Sequence, residues 1–388
     1  MELILGIFAG IIILTVLVVL HELGHAIVAK RNGVTVEEFG IGFPPKAWGK
    51  KVKNSFLGKD VVYSVNWLPL GGFVKLQGEH DQDDGKKGDF GAASFWVKTK
   101  ILLAGVLINW LTAAVLLTVL ALFGVPKIVD NQFVVARDNV VSRETPVLNY
   151  IEAGSPADKS GLKTGDKVSR VAGKPLEFAE QLSQLTSANK GKKIVIDYER
   201  DGTSKTAEVT LRDDNSDQKG YLGASVFQRA SYRATWSAPI VGIGLTGQLS
   251  WLTLQGVGDM AANFFSGLAQ KLNPDQTAQK AADEKIAKAG DNVAGPVGLL
   301  GVILPSLISQ GAQYMILITA VISLSLAVLN TLPIPGLDGG RWFLIALFRV
   351  LNKPLKKETE ERVVGMGMLF LMGLIVLITI ADVGKVIK

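Results

Sequence analysis

The chain of 388 residues contains no cysteine and only three histidines, which are His21, His25 and His80. The absence of cysteine excludes disulfides, a cysteine nucleophile and thiolate ligands to zinc. A transition-metal site in this chain must therefore use imidazole and carboxylate groups. Nearly half of the residues, 48%, are apolar, and this share indicates membrane spans joined to a soluble part.

Long uncharged runs predict where the chain crosses a membrane. A transmembrane helix needs about 18 or more apolar residues. Four runs meet this length, and a fifth, at 342–348, is too short. The predicted spans are residues 3–20, 101–123, about 312–332 and 363–381. Four crossings place both termini on the same side of the membrane.

A cleaved signal peptide is the competing interpretation of residues 3–20. The start Met1-Glu2 lacks the basic residues of a signal peptide, and no small-residue cleavage site follows the apolar run. These features favour a first helix that is retained.

Basic residues predict the side on which each loop lies. Twelve Lys or Arg lie between residues 30 and 100, and six more follow the third span. By the positive-inside rule both loops are cytoplasmic. Long segments cross largely regardless of charge, so the nearly neutral residues 126–292 are predicted to be extracytoplasmic. The net charge of +6 is explained by this topology, and we expect no nucleic-acid partner.

The long outer segment begins with the pattern of a small α/β module, over residues 131–228. Alternating or β-branched runs on either side of Asp201-Gly202 predict a β-hairpin, and residues 178–187 predict a short helix. Residues 236–266 predict an amphipathic, interfacial helix, with a fifth span as the alternative. The polar residues 268–292 predict a solvated helical insertion or linker.

His21 and His25 lie four residues apart at the end of the first predicted span. On a helix this spacing puts both imidazoles on one face, with Glu22 beside them. With zinc bound there, Glu22 would take a proton from the attacking water and return it to the departing amine. The alternative is a group of polar residues at the membrane interface. Ionisable groups within membrane spans are costly and usually functional, which favours the metalloprotease interpretation.

Two histidines leave a catalytic zinc site incomplete, because such sites commonly have three protein ligands. The spacing HExxHxxGxxH is not continued, since Val28 and Arg31 occupy the positions of the glycine and the third histidine. The best candidate is Asp338, within residues 330–340. Two prolines and three glycines there break the helix and expose backbone groups that a polar site can satisfy. The alternative is a turn whose aspartate caps a helix.

The two motifs together resemble those of the site-2 protease family of intramembrane metalloproteases, in which HExxH on one span is paired with NxxPxPxLDGG on a later one. The resemblance covers nearly the whole chain. The chain looks most like the bacterial regulator-of-sigma-E protease group, in a form with one PDZ domain. The resemblance implies one zinc ion bound by His21, His25 and Asp338. It further implies that Glu22 is the general base and that Asn330 contacts substrate or transition state.

Two further segments resemble parts of the same family. Residues 69–76 resemble its membrane-associated β-loop, which presents an edge to an extended substrate, so Gly71 and Gly72 are expected to bind substrate. Residues 104–109 stand where relatives often have GPxxN, and the resemblance implies a substrate contact for Asn109. Val106 replaces the proline of that pattern.

Residues 153–157 and 161–166 resemble a bacterial PDZ domain. PDZ domains bind an extended peptide at a sheet edge, so the resemblance implies a peptide ligand or a filter for substrate size. The alternative is a spacer of the same shape without a ligand. His80, beside acidic residues in the cytoplasmic loop, is expected to be solvated rather than a metal ligand.

Together these inferences predict an α-helical polytopic membrane protein with a cytoplasmic, membrane-associated β-loop and an inserted extracytoplasmic α/β PDZ domain. Residues 1–125 and 295–388 are expected to form the membrane core. Residues 126–230 would form the PDZ-like domain, and residues 231–294 the interfacial helix and linker. The expected location is the bacterial inner membrane, with the active site toward the cytoplasm.

The predicted function is hydrolysis of peptide bonds within or near the transmembrane segment of single-span proteins, such as anti-sigma factors or remnant signal peptides. Expected partners are these substrates, membrane lipid and a peptide bound to the PDZ domain. A catalytically inactive PDZ scaffold is the alternative, although a purely structural metal site has no need of Glu22. A transporter is a third interpretation, because polar groups at broken helices also bind ions.

Overall fold

The computed structural model describes residues 2–78, 86–216, 219–271, 275–291, 295–308 and 310–387. The prediction for His80 lies outside the described residues. The chain divides into two compact units, which are Met1–Phe123 with Trp236–Lys388, and Gly124–Thr235.

Eleven α-helices and eleven strands are present in the described residues. The helices are α1 (Glu2–Arg31), α2 (Phe95–Phe123), α3 (Pro156–Lys159), α4 (Gln181–Ser187), α5 (Ala238–Lys271), α6 (Gln276–Asp291), α7 (Pro296–Gly298), α8 (Leu304–Ile308), α9 (Ala312–Thr331), α10 (Asp338–Val350) and α11 (Lys357–Ile387). The strands are β1 (Val36–Ser55), β2 (Gly58–Leu76), β3 (Val125–Pro126), β4 (Val140–Arg143), β5 (Val147–Ile151), β6 (Lys167–Val171), β7 (Lys174–Pro175), β8 (Lys193–Arg200), β9 (Thr203–Thr210), β10 (Ala224–Phe227) and β11 (Ala230–Arg233). A single π-helical turn, Leu299–Ile303, joins α7 to α8.

Four of these helices are long and apolar enough to cross a membrane, as far as the described residues go. They are α1, α2, α9 and α11, and they contain the four predicted spans. The apolar run at 342–348 lies in α10, which has 13 residues and is too short to cross.

Helix α2 lies at the centre of the larger unit, in contact with α1, α5 and α9. Small residues permit close approach of the helices. A Cβ on Gly24 of α1 would lie 2.8 Å from the carbonyl oxygen of Ala104 in α2. On the other side, the Ser323 hydroxyl of α9 donates a hydrogen bond to the Asn109 carbonyl of α2 over 2.8 Å. The three helices are therefore fixed to one another around the middle of α2.

Strands β1 and β2 form one sheet with more strand segments than a simple hairpin has. Residues 36–41 pair on one side with 62–65 and on the other with 72–76, while residues 46–55 pair with 58–66. The chain bends at Gly42 and Gly71, where φ is +80° and +78°, values that favour glycine. The result is a four-segment sheet with residues 72–76 at one end, in which residues 38–41 and 62–65 run in the same direction.

The core of this sheet is continuous with the cytoplasmic ends predicted for α1 and α2. Phe39, Val61 and Leu76 are buried against Ala26 of α1 and Ile101 of α2. Full burial of side chains of this size contributes about 1.5–3 kcal/mol each. The packing fixes the sheet beside the helix that carries His21 and His25.

The helix predicted at 236–266 corresponds to α5, and its position at the membrane interface stays a prediction. A Cβ on Gly242 would collide with the side chain of Thr118 in α2. Two turns further, Trp110 Nε1 of α2 donates a hydrogen bond to Ser250 Oγ over 3.2 Å. Helix α5 thus runs antiparallel beside α2 for about 12 Å, at 1.5 Å per residue. This packing places its first half next to a candidate span.

Residues 268–292 are predicted as a helical insertion or linker; residues 268–271 belong to the end of α5, and residues 276–291 form α6, which folds back on α5. A Cβ on Gly267 would lie 2.8 Å from Ile286 Cγ1, and Lys271 forms an ion pair with Asp283 at 2.7 Å. Helices α5 and α6 therefore form a helical hairpin.

The unit Gly124–Thr235 contains two sheets. One has the strand order β10-β5-β6-β8-β9, with β7 paired to β6, and the other has the order β3-β11-β4. The larger sheet encloses a core that includes Leu148 and Ile196. The predicted hairpin is confirmed, because Asp201 and Gly202 join β8 to β9 with φ values of +53° and +74°, as in type I′ turns.

The helix predicted at 178–187 begins later, at Gln181. The side-chain oxygen of Gln181 accepts hydrogen bonds from the backbone N–H groups of Glu177 and Phe178. These bonds hold the preceding residues in a turn, so the regular helix starts only after them.

A buried ion pair stabilises the same unit and predicts a dependence of its stability on pH. Asp166, 1% exposed, binds Arg200 Nε at 2.6 Å and Nη2 at 2.7 Å. Burial alone would raise the pKa of Asp166, but the hydrogen bonds from Arg200 and from the Lys163 N–H outweigh it and lower that pKa. Stability from this pair is fully present above about pH 4 and is lost as the pH falls through the folded-state pKa.

We expect Asp166→Asn to destabilise this unit by about 3 kcal/mol at pH 7, because Arg200 loses its charged partner. The variant should also lose part of the acid dependence. Thermal unfolding of the full chain by calorimetry, at pH 7 and in steps below pH 4, measures both effects. Glu208→Gln, in an exposed pair with Lys193, is the control and should change little. Equal unfolding curves for Asp166→Asn and wild type would contradict this expectation.

Candidate metal centre and active site

His21 and His25 lie one turn apart near the end of α1, and each is 6% exposed. Their ring centroids are 4.7 Å apart, with the ring planes at 83°. Helix α1 continues for six more residues and ends in Lys30 and Arg31, whose charges stabilise a helix C-terminus. The helix thus holds two imidazoles on one buried face.

Asp338, 317 positions after His21, meets both rings. Its Oδ2 lies 2.9 Å from His21 Nε2 and 3.2 Å from His25 Nε2. The two Nε2 atoms are 3.1 Å apart. Elsewhere among the residues that the structure describes, no other three His, Asp or Glu side chains gather in this way.

These three atoms fit the chemistry of a zinc site. Two imidazoles and one carboxylate are the ligands of many catalytic zinc sites, which keep a fourth position for water or substrate. Ligand atoms about 2.0–2.1 Å from a tetrahedral ion lie about 3.3 Å from one another. The observed separations are only slightly shorter.

A glycine of α2 provides the space beside the donor atoms. A Cβ on Gly105 would lie 2.5 Å from His25 Nε2 and 2.7 Å from His21 Nε2. Any larger residue would therefore occupy the position toward which the imidazoles point. The space in front of the rings thus depends on this residue.

The other nitrogen of each ring faces α2. His25 Nδ1 donates a hydrogen bond to the carbonyl oxygen of Ile101 over 2.6 Å, and this bond leaves Nε2 without a proton and able to bind a metal. His21 Nδ1 lies 3.3 Å from the side-chain amide of Asn109. The Nδ1 atoms of both rings are therefore in contact with one helix, α2.

Tight turns between α9 and α10 place Asp338 at the first position of α10. A Cβ on Gly339 or Gly340 would collide with the carbonyl oxygen of Thr331 or Ile334, so only glycine allows the chain to fold back so closely. Helix α10 is then fixed to α11 by a hydrogen-bonded ion pair between Arg341 Nε and Glu360 Oε1, at 2.7 Å. Glu360 is 2% exposed, so this pair is strongly shielded from water.

Glu22 contacts the sheet rather than the three donor atoms. Its Oε2 accepts a hydrogen bond from the Val74 N–H over 3.1 Å. Gly71 and Gly72 are buried at the start of this strand segment, and Cβ atoms on them would lie 2.9 Å from Phe43 Cε2 and 2.9 Å from the Gly40 carbonyl oxygen. The two glycines allow close packing within the sheet beside Glu22.

The structure places the two predicted asparagines differently. Asn330 is half-buried in the last turn of α9, eight residues before Asp338. Asn109 is 0% exposed and faces His21. The contact to His21 was not expected from the sequence, and the substrate contact of Asn109 stays a prediction.

Three groups at the site have no counterpart in the sequence prediction. They are the carbonyl of Ile101, the N–H of Val74 and the hydroxyl of Ser323. Two are backbone groups, which any residue supplies, so the residue type gives no signal. Ser323 is a polar residue within an apolar span, and this pattern alone does not indicate which group its hydroxyl binds.

Comparison with known proteins agrees with this geometry. The profile of peptidase family M50 matches residues 9–374. The chain is 29% identical over 369 residues to the Clostridium perfringens protein named "Putative zinc metalloprotease CPE1693", with 95% of each chain covered. It is 24% identical over 469 residues to the Bacillus subtilis protein named "Regulator of sigma-W protease RasP", with 98% of each covered.

These matches confirm the resemblance drawn from the two motifs, and the relatives' names together with the donor set support zinc as the cofactor. The four long apolar helices are those of a multi-pass membrane protein. Since the family profile covers most of the chain and both halves of the metal-binding motif meet in the structure, the chain belongs to peptidase family M50 and is a metalloprotease.

Proposed function

We propose that this enzyme uses one zinc ion to hydrolyse peptide bonds within or near the transmembrane segment of single-span membrane proteins. The position of His21 and His25 on α1 carries the proposal, because α1 is a candidate span and the two rings are buried between it and α2. Asp338 reaches them directly after α9, another candidate span. A site built between spans suits a substrate that is itself in the membrane.

In the proposed mechanism His21, His25 and Asp338 hold the metal and Glu22 moves the proton. When bound, zinc would polarise the scissile carbonyl and make a water molecule more acidic. The Val74 N–H keeps the Glu22 carboxylate in place, so that it accepts the proton of the water and passes it to the departing amine. We assign Asn330 a polar contact to the substrate or transition state.

We further propose that the substrate binds in an extended form along residues 72–76. The carbonyls of a helix are already hydrogen-bonded within it, so the substrate must unwind locally before it can react. Backbone groups alternate in direction along a strand, and those of Gly72 therefore face the same way as the Val74 N–H, toward Glu22. An unwound segment would pair with this edge, with Gly71 and Gly72 beside it.

The rest of the same sheet offers aromatic residues to a membrane. Phe43, Trp48 and Trp67 are exposed by 47%, 58% and 71%. Tryptophan is enriched at membrane interfaces. We assign these side chains a contact with membrane lipid on the cytoplasmic side, to which the basic loops point.

The unit Gly124–Thr235 would be an extracytoplasmic PDZ domain. Its strand β10 is at one end of the larger sheet, a position at which PDZ domains add a peptide strand. We assign it either a peptide ligand or the exclusion of substrates that are too large. Because one relative is named a regulator of sigma-W protease, we propose anti-sigma factors or remnant signal peptides as substrates, in a bacterial inner membrane.

Cleavage by purified protein tests the proposed function. We expect the enzyme in lipid nanodiscs to cut a single-span protein within its apolar segment. The substrate is chosen to have a Gly-Pro pair in that segment. Replacing this pair by Leu-Leu should slow cleavage by about tenfold or more, because proline weakens a helix by about 3 kcal/mol and its removal makes the segment harder to unwind. Removal of metal with a chelator should stop cleavage, and added zinc should restore it.

A soluble unfolded protein serves as the matched substrate. If it is cut as fast as the membrane substrate, the intramembrane assignment is wrong. If zinc-loaded wild type cuts none of the three, the inactive scaffold becomes the better interpretation.

A further inference from the structure

Asn109 is a polar residue at the middle of a candidate span, and it is 0% exposed. Its side-chain amide lies 3.3 Å from His21 Nδ1. Its backbone carbonyl accepts the hydrogen bond from Ser323 of α9. Asn109 therefore touches both the helix that carries His21 and the helix that leads to Asp338.

The contact to His21 fixes which ring nitrogen carries the proton. His21 Nε2 faces His25 and Asp338, so metal binding requires that Nε2 be unprotonated and that Nδ1 carry the hydrogen. Nδ1–H then needs an acceptor. The oxygen and nitrogen of an amide have the same shape, and the hydrogen-bond network decides which of them faces a partner. The structure has Asn109 Nδ2 at His21 Nδ1 and leaves Asn109 Oδ1 without a partner, and a half turn of the amide brings the oxygen to the Nδ1–H of His21.

We propose that Asn109 is a positioning residue, whose amide oxygen accepts the Nδ1–H of His21 and holds the ring with Nε2 toward the metal. The Ile101 carbonyl has the same relation to His25. Partners of this kind raise the affinity of a site for its metal. The inference rests on the proposed zinc centre.

The burial of Asn109 indicates that it does more than stabilise the fold. With Nδ2 facing His21, Asn109 Oδ1 has no hydrogen-bond partner in the described part of the chain, and a buried polar atom without a partner destabilises the fold. An apolar residue of similar size would serve the packing of α2 better. The contact to His21 is what the asparagine adds.

Two substitutions at Asn109 separate these roles. Leucine removes the acceptor and keeps the approximate volume, whereas aspartate keeps an acceptor for Nδ1–H. Purified zinc-loaded variants are titrated with a chelator, and the zinc retained is measured by atomic absorption. We expect N109L to give up zinc about 10- to 100-fold more readily than wild type, with an unfolding temperature of the zinc-free protein that is unchanged or higher. N109D should retain zinc as wild type does.

Ser250→Ala is the matched control, because it removes the neighbouring hydrogen bond from Trp110 without touching the rings. It should leave zinc retention unchanged. The absorption spectrum of the cobalt-substituted protein gives a second readout, which N109L should alter and S250A should not.

The outcomes distinguish this inference from the proposed function. If N109L holds zinc as tightly as wild type, the positioning role is wrong and the metal centre stands. If N109L and N109D lose zinc alike and both unfold at lower temperature in the zinc-free form, the role of Asn109 is structural and the inference is again wrong. If the wild-type protein binds no zinc, both the proposed metal centre and this inference are wrong.

Discussion

Glu22→Gln is expected to bind about one zinc ion per chain, as wild type does, and to lose cleavage by about 10³- to 10⁴-fold. Glutamine has the shape of glutamate, and its amide oxygen can still accept the hydrogen bond from the Val74 N–H. The amide cannot take a proton from water, however, and the three atoms that meet at the metal site belong to other residues. Zinc content by atomic absorption and the rate of membrane-substrate cleavage are to be measured on the same preparation.

Glu37→Gln is the matched control for this variant. Glu37 lies in β1 and forms an ion pair with Lys75, at 2.9 Å, in which both side chains are largely exposed. Such pairs contribute little to stability, so cleavage and zinc content should stay at the wild-type level. Undiminished cleavage by Glu22→Gln would exclude Glu22 as the base, and loss of zinc from that variant would assign it a part in metal binding.

The sequence predicts those parts of the site that depend on local geometry. His21 and His25 share a face because the helical period brings residues four apart together. The spans follow from length and hydropathy. Asp338 could be proposed because two histidines need a third ligand and because prolines and glycines break the chain around it. Each of these inferences uses neighbours in the sequence or a rule about the membrane.

The contacts that depend on how helices cross could not be predicted in this way. Asn109 reaches His21, and Ile101 reaches His25, only because Gly24 lets α1 and α2 approach closely. No local pattern encodes the rotation of α2 that turns these residues toward the rings. The resemblance to relatives identified Asn109 and implied a substrate contact, but it gave no sign of the contact to His21, since spacing in a motif carries no information on burial.

The packing of α5 against α2 follows a pattern of small residues in the sequence. Gly242, Thr246 and Ser250 are spaced four apart along the helix, a pattern typical of packing between membrane helices. In the structure Gly242 lies against Thr118 of α2, and Ser250 accepts a hydrogen bond from Trp110. The local spacing thus indicates a packed face, but not which helix packs against it.

Gly105→Ala is expected to weaken zinc binding by about 100-fold or more, beyond the usual effect of a residue around a metal site. The new methyl group would lie 2.5 Å from His25 Nε2, far inside van der Waals contact. The rings cannot easily move away from α2, because their Nδ1 atoms contact Ile101 and Asn109 of the same helix. Helix α2 cannot easily move away from the rings either, because α5 and α9 also pack against it. Cleavage should fall with zinc content, and both are measured on the purified protein.

Gly247→Ala is the control, because a Cβ on that residue of α5 would meet no atom within 4 Å and alanine favours a helix more than glycine does. It should keep zinc and activity. Wild-type zinc affinity in Gly105→Ala would show that the imidazoles can move aside, and the space beside them would then not depend on this glycine. Excess zinc should partly restore cleavage by Gly105→Ala but never that by Glu22→Gln, since the first substitution blocks metal binding and the second removes the proton acceptor.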